Sequence, residues 1–143
     1  HRTHDAMAAL YPNTLMALEA LCGAGMPMGI VTSKSRMMAE RAIGLFGLGR
    51  FFAVVVTADD TTAHKPDPLP VLHAAGLLGV EPGRCVYVGD SPADVASALA
   101  AGAVAVAATW GVADRERLVA AGADAVIDDI GQLPKLLGVN GRA

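Results

Sequence analysis

Tyr87-Val88-Gly89-Asp90-Ser91-Pro92-Ala93-Asp94 reads as the end of a buried strand, a tight turn and the start of a helix. Cys85 to Val88 are apolar or aromatic, the pattern of a central parallel strand covered on both faces. Gly89 ends that strand, and Asp90 then falls at the carboxyl edge of the sheet, where open α/β folds bind ligands. Ser91 suits an N-cap and Pro92 the first helical position, which leaves Asp94 in the first turn. Two carboxylates thus bracket one strand-to-helix turn. Hard oxygen donors at such an edge suit Mg²⁺, which takes one or two carboxylates and keeps waters for a phosphate. Taken alone, the same residues also fit a strand end and a helix-dipole acid.

Outward from this turn the pattern repeats. Upstream, Leu15, Leu18, Leu21 and Cys22 follow helical spacing until Gly23-Ala24-Gly25. Met28 to Val31 reads as a buried strand ending at Thr32-Ser33-Lys34, and a helix from Ser35 carries Met38, Ala42, Leu45 and Phe46. Phe51 to Val56 is β-branched and aromatic, which predicts a strand. After a polar loop to His64, Lys65-Pro66-Asp67-Pro68 opens a helix with Asp67 as cap. Downstream, a helix runs to Gly102, Ala103 to Ala108 predicts a strand, Asp114 caps a short helix, and Ala125 to Ile127 predicts a last strand. Strand alternating with helix means a doubly wound parallel sheet in an α/β, three-layer, Rossmann-like architecture.

The whole-chain properties narrow the class. A chain of 143 residues fits one domain with a real core. Its 53% hydrophobic content is broken by Gly, Pro and polar residues, so no transmembrane span or signal peptide is expected. A net charge of −3 argues against nucleic acid as a partner. Cys22 and Cys85 lack metal-type spacing and read as reduced core residues of a cytoplasmic protein. The four histidines, His1, His4, His64 and His73, form no zinc signature.

Three strand ends carry the polar groups, and all should gather along one sheet edge. Thr32 and the N–H groups after it suit phosphoryl oxygens at a helix N-terminus. Lys65 suits a point charge against phosphate. Asp90 would hold Mg²⁺, and Asp94 would support the metal or orient Lys65. Each residue alone also has an ordinary reading: Thr32 as an N-cap, Lys65 as a solvated loop lysine, Asp59 and Asp60 as a solvated pair, Asp128 and Asp129 as caps of the terminal helix. Trp110 suits a pocket wall or a cover for the sheet edge.

In their order, these motifs resemble the haloacid dehalogenase superfamily of hydrolases, and most closely its phosphoglycolate phosphatase-like branch. The resemblance rests on Tyr11-Pro12, Ile30-Val31-Thr32-Ser33-Lys34, Lys65-Pro66-Asp67-Pro68 and Gly89-Asp90-Ser91-Pro92-Ala93-Asp94. Ala100 to Ala103 and Gly122 to Ile127 extend it. It implies an Mg²⁺-dependent phosphatase acting on a small phosphorylated metabolite such as phosphoglycolate, through an aspartyl-phosphate intermediate. It implies Thr32, Ser33 and Lys65 as phosphate-binding groups, with Thr32 and Lys65 also catalytic, and Asp90 and Asp94 as the acids of the metal site. Ser33 stands where this branch often has Asn. The resemblance assigns residues 1–10 to the end of a cap or linker and 11–143 to the carboxyl-terminal part of the hydrolase core. A homodimer is kept open as an assembly.

One departure is large. The family's first motif supplies an Asp-x-Asp nucleophile and acid after a strand, and this sequence contains no Asp-x-Asp. The expectation is therefore of a core without its nucleophile segment, giving no turnover from these residues alone. The alternative is a non-catalytic phosphate-binding or interaction module on the same fold. The resemblance also places the nucleophile strand between the Ile30-Val31 strand and the Val86-Val88 strand. Without it, those two strands should stand apart, pair directly, or accept a strand from another chain.

Overall fold

The computed structural model describes residues 13–139. The expected 1–10 segment and the Tyr11-Pro12 motif lie outside them. Helix α1 (Asn13–Gly23) leads into strand β1 (Gly29–Val31), helix α2 (Arg36–Leu45) and strand β2 (Val54–Val56). Helix α3 (Leu69–Leu78), strand β3 (Val86–Gly89), helix α4 (Pro92–Ala101) and strand β4 (Val104–Ala108) follow. Helix α5 (Arg115–Ala120), strand β5 (Ala125–Ile127) and a last turn of helix, α6 (Leu133–Leu136), complete the order. The α/β alternation is the one expected, and every strand pair is parallel.

The sheet is in two pieces. β1 pairs with β2, and β3, β4 and β5 form a second ladder with β4 in the middle. Among the described residues β1 and β3 share no ladder, so of the three expected arrangements direct pairing does not occur.

Side-chain alternation along β4 explains the layers. Ala105 and Ala107 pack with Val71, Val95, Ala98 and Leu118 on the α3–α4–α5 side. Val106 packs with Leu21, Ile127 and Leu133 on the α1–α6 side. Alanines at 105 and 107 let α4 approach the strand closely, and Ala98 and Ala107 are fully buried. Both faces of this ladder are thus covered, as parallel sheets require.

Local chemistry sets most boundaries. Ser35, Ser91 and Asp114 cap α2, α4 and α5, each accepting a backbone N–H three residues on. Gly79 and Gly102 end α3 and α4 in the left-handed region. Several expectations need correction. The strand expected over 51–56 covers only Val54–Val56, because Gly49–Phe51 forms a 3₁₀ turn closed by the Phe51 N–H on Leu48. Helix α3 starts one residue later than expected, though Asp67 still accepts the Leu69 N–H. On α2 the buried residue is Ala39, while Met38 and Leu45 are exposed. Cys22 is exposed and is not a core residue; both cysteines are free. Asp129 caps the 3₁₀ turn Ile130–Gln132, whereas Asp128 instead binds Thr109 and Arg115.

Candidate active site

The carboxyl ends of β1 and β3 face a common cleft of about 750 Å³. Thr32, Ser33, Lys65, Asp90 and Asp94, the five residues singled out in the sequence, all line it. Its walls include apolar residues of β1, α2 and β3, together with Trp110.

Lys65 reaches the site from a turn, not from a strand. The Lys65–Pro66 bond is cis. The Asp67 N–H returns to the His64 carbonyl, 2.9 Å away. The Asp67 carbonyl then accepts the hydroxyl of Ser97 at 2.7 Å, and Ser97 is completely buried in α4. This bond fastens the lysine turn to the helix that carries Asp94.

Lys65 Nζ donates to Asp94 Oδ1 at 2.6 Å and to the Tyr87 hydroxyl at 3.1 Å. Tyr87 in turn donates to Asp94 Oδ1 at 3.3 Å. The other carboxylate oxygen, Asp94 Oδ2, accepts the Asp90 N–H and the Ser91 hydroxyl, each at 3.0 Å. Asp94 is therefore the hub that ties the turn after β3 to the lysine. Burial alone would favour its neutral form, but Lys65 and the donors at Asp90 and Ser91 hold its carboxyl below the usual range. Burial likewise opposes the Lys65 ammonium, yet the Tyr87 oxygen and Asp94 outweigh it and hold Lys65 above its ordinary value. Both groups are thus charged at neutral pH. Burial, reinforced by Asp94, pushes the Tyr87 phenol up to about 12.

Two glycines make room for the carboxylates. Tyr87 and Gly89 lie on one face of β3, and Asp94 sits against both. A Cβ at Gly89 would collide with the Asp94 side chain, and one at Gly111 would collide with the Asp90 side chain. Gly111 thus keeps a cradle in which the Asp90 carboxylate lies at the cleft. Thr32 Oγ1 accepts the Lys34 N–H at 3.1 Å, which shapes the loop after β1.

Among the described residues no three of His, Cys, Asp and Glu gather as a metal cage. The donor set still fits Mg²⁺, a hard cation that is commonly held by one or two carboxylates with water and substrate oxygens completing its shell. Asp90, in its cradle, is the fitting first donor, and Asp94 has each oxygen already engaged by protein donors. Tyr87, Ser97, Gly111 and the pair Arg36–Asp60 went unremarked as site groups in the sequence. Tyr87 carried one signal, a hydroxyl on an otherwise apolar strand two residues from Gly89.

A family described as haloacid dehalogenase-like hydrolase matches residues 1–108. A phosphoglycolate phosphatase (plasmid) of Cupriavidus necator is 38% identical over 135 residues, covering 94% of this chain and 58% of that protein. Pyrophosphatase PpaX of Bacillus velezensis is 34% identical over 139 residues, covering 97% of this chain and 64% of that protein. The crystal structure of a HAD phosphatase from Thermococcus onnurineus superposes with a TM-score of 0.79 at 38% identity, covering 92% of this chain and 60% of that one. The chain therefore spans about three-fifths of the length of these relatives.

Proposed function

From the premise that this chain belongs to the haloacid dehalogenase-like hydrolases, we propose that its cleft is the phosphoryl site of an Mg²⁺-dependent phosphatase for a small phosphomonoester. The observation that carries this reading is the convergence of Thr32, Lys65, Asp90 and Asp94 on one cleft at the carboxyl ends of β1 and β3. A hydroxyl, a fixed cation and a carboxylate edge are the groups phosphoryl transfer uses, since its catalysis is mostly positioning and charge stabilisation.

In this reading Lys65 holds its positive charge on the transferring phosphoryl group, anchored by Asp94 and Tyr87 through two of its three N–H donors. Thr32, whose Oγ1 already accepts the Lys34 N–H, donates its hydroxyl proton to a phosphoryl oxygen, and Ser33 offers a backbone N–H of the same loop. Asp90 is the metal ligand and Asp94 supports that site through the Asp90 N–H. Mg²⁺, when bound, neutralises phosphate charge. The attacking carboxylate of an aspartyl-phosphate route is assigned to the family's first motif, which these residues do not contain. The partner is a small phosphorylated metabolite. Phosphoglycolate is the first candidate, from the Cupriavidus relative, and pyrophosphate is the second, from PpaX. Two free cysteines agree with a reducing cytoplasmic setting. Among the described residues no helix is long and apolar enough to cross a membrane.

The test is an assay of a full-length form bearing the first motif, with p-nitrophenyl phosphate, phosphoglycolate and pyrophosphate across an Mg²⁺ titration. Asp90→Asn should remove most Mg²⁺-dependent turnover, and Asp94→Asn should also lower kcat. Lys65→Ala should lower kcat by about 10²-fold with a smaller change in KM, because its charge acts on the transition state. Unchanged activity in both Asp90→Asn and Lys65→Ala would end this reading.

A further inference from the structure

We propose that Arg36 and Asp60 form a clamp outside the cleft that positions the Thr32–Lys34 loop and the chain leading to Lys65. Both are positioning residues for the phosphoryl site, so the inference rests on the function proposed above.

β1 and β2 are only three residues long each, which gives the loops beyond them little support from the ladder. Side chains supply the rest. The Thr32 N–H bonds the Val56 carbonyl and the Ala58 N–H bonds the Lys34 carbonyl, both at 2.9 Å. The Arg36 N–H, an orphan donor at the start of α2, is taken by Asp59 Oδ2 at 2.8 Å. The Arg36 guanidinium then binds Asp60 Oδ2 at 2.5 Å and the Val55 carbonyl at 2.9 Å through the same Nη2. Asp60 Oδ2 also accepts the Thr57 N–H at 2.7 Å and the Thr57 hydroxyl at 2.9 Å. Thr57 is fully buried, so this carboxylate closes the turn after β2 from within. The Thr57 N–H and Arg36 hold the Asp60 carboxyl below the usual carboxylate range, so it stays a charged acceptor at neutral pH.

The two segments tied together are both functional. Thr32, Ser33 and Lys34 line the cleft, whereas Arg36 and Asp60 do not. Asp60 lies five residues before Lys65. The Lys65 turn is fastened at its far side by Ser97, and the 57–60 turn lies on its near side. An exposed ion pair by itself adds little to stability. Its value here is geometric, since misplacing a phosphate-binding loop by about 1 Å is enough to cost on the order of 10²-fold in rate.

The experiment compares Asp60→Asn, Arg36→Ala, the double variant and Glu40→Ala in the full-length form, with Lys65→Ala as reference. Asp60→Asn keeps an oxygen for Thr57 and removes the negative charge that pairs with Arg36. Glu40 pairs with Nη1 of Arg36 one turn along α2. Asp60→Asn and Arg36→Ala should each lower kcat/KM about tenfold or more. The double variant should fall by clearly less than the product of the two single losses, because the two residues share the Arg36–Asp60 contact. Glu40→Ala should stay within about twofold of the parent. The losses should persist at temperatures where unfolding scans show every variant fully folded. Two results overturn the clamp: kcat/KM within about twofold of the parent in both clamp variants, or losses that merely track the unfolded fraction. If Lys65→Ala is itself fully active, the phosphoryl-site reading fails instead, whatever Asp60 does.

Discussion

Tyr87 shows how much a single hydroxyl decides at this site. Its ring belongs to the buried side of β3, yet its oxygen meets both Lys65 and Asp94. A phenol with a raised pKa favours folding fully below its unfolded value of about 10. That contribution is lost as pH rises toward the folded value of about 12. In a Tyr11→Phe background, tyrosinate absorbance should therefore rise late, in step with alkaline unfolding, and not near pH ~10. An absorbance step at the ordinary phenol value while the fold is intact would show that the ring is open to water.

At the scale of elements, the active geometry depends on how α4 meets its neighbours. Its first turn presents Asp94 to Gly89 and Lys65, and one turn further on Ser97 holds the Asp67 carbonyl. Ser97→Ala removes the donor that the Asp67 carbonyl accepts and should cost about 1 kcal/mol in urea denaturation, with a fall in kcat as the Lys65 turn loosens. Gly89→Ala drives a methyl group into Asp94 and should be worse on both counts, since backbone and helix must separate. A Ser97→Ala protein of unchanged stability would show that water replaces the hydroxyl and that the turn is held elsewhere.

For the molecule as a whole, the decisive feature is the division of the sheet into two ladders. β4 is paired on both sides, so its central amides, such as that of Val106, should be among the slowest to exchange with solvent. Thr32 donates to β2, so by alternation the Val31 N–H lies on the opposite, cleft-facing edge of β1. It should exchange much faster than Thr32 or Val106 in these 143 residues. Equal protection at Val31 and Val106 would mean that the slot is already closed by another strand, for instance from a second copy. The same preparation should hydrolyse no phosphoglycolate with Mg²⁺, and turnover that vanishes in Asp90→Asn would reveal a nucleophile among these residues.

The sequence by itself determined the α/β class, the order of elements, the caps at Ser91 and Asp114, and five of the polar cleft residues, Thr32, Ser33, Lys65, Asp90 and Asp94. These are legible because periodicity, capping and strand-end polarity are local and repeat along the chain. Only the tertiary structure decided that Asp94 serves Lys65, that Tyr87 bonds both of them, and that Asp60 belongs to Arg36 and not to solvent alone. Those pairings join residues 7 to 29 positions apart, and their partners are chosen by which strand ends come side by side. The absence, among the described residues, of a ladder between β1 and β3 is anticipated only among three arrangements, and only from the family resemblance, because a strand's own residues do not record whether a neighbour is there to accept its hydrogen bonds.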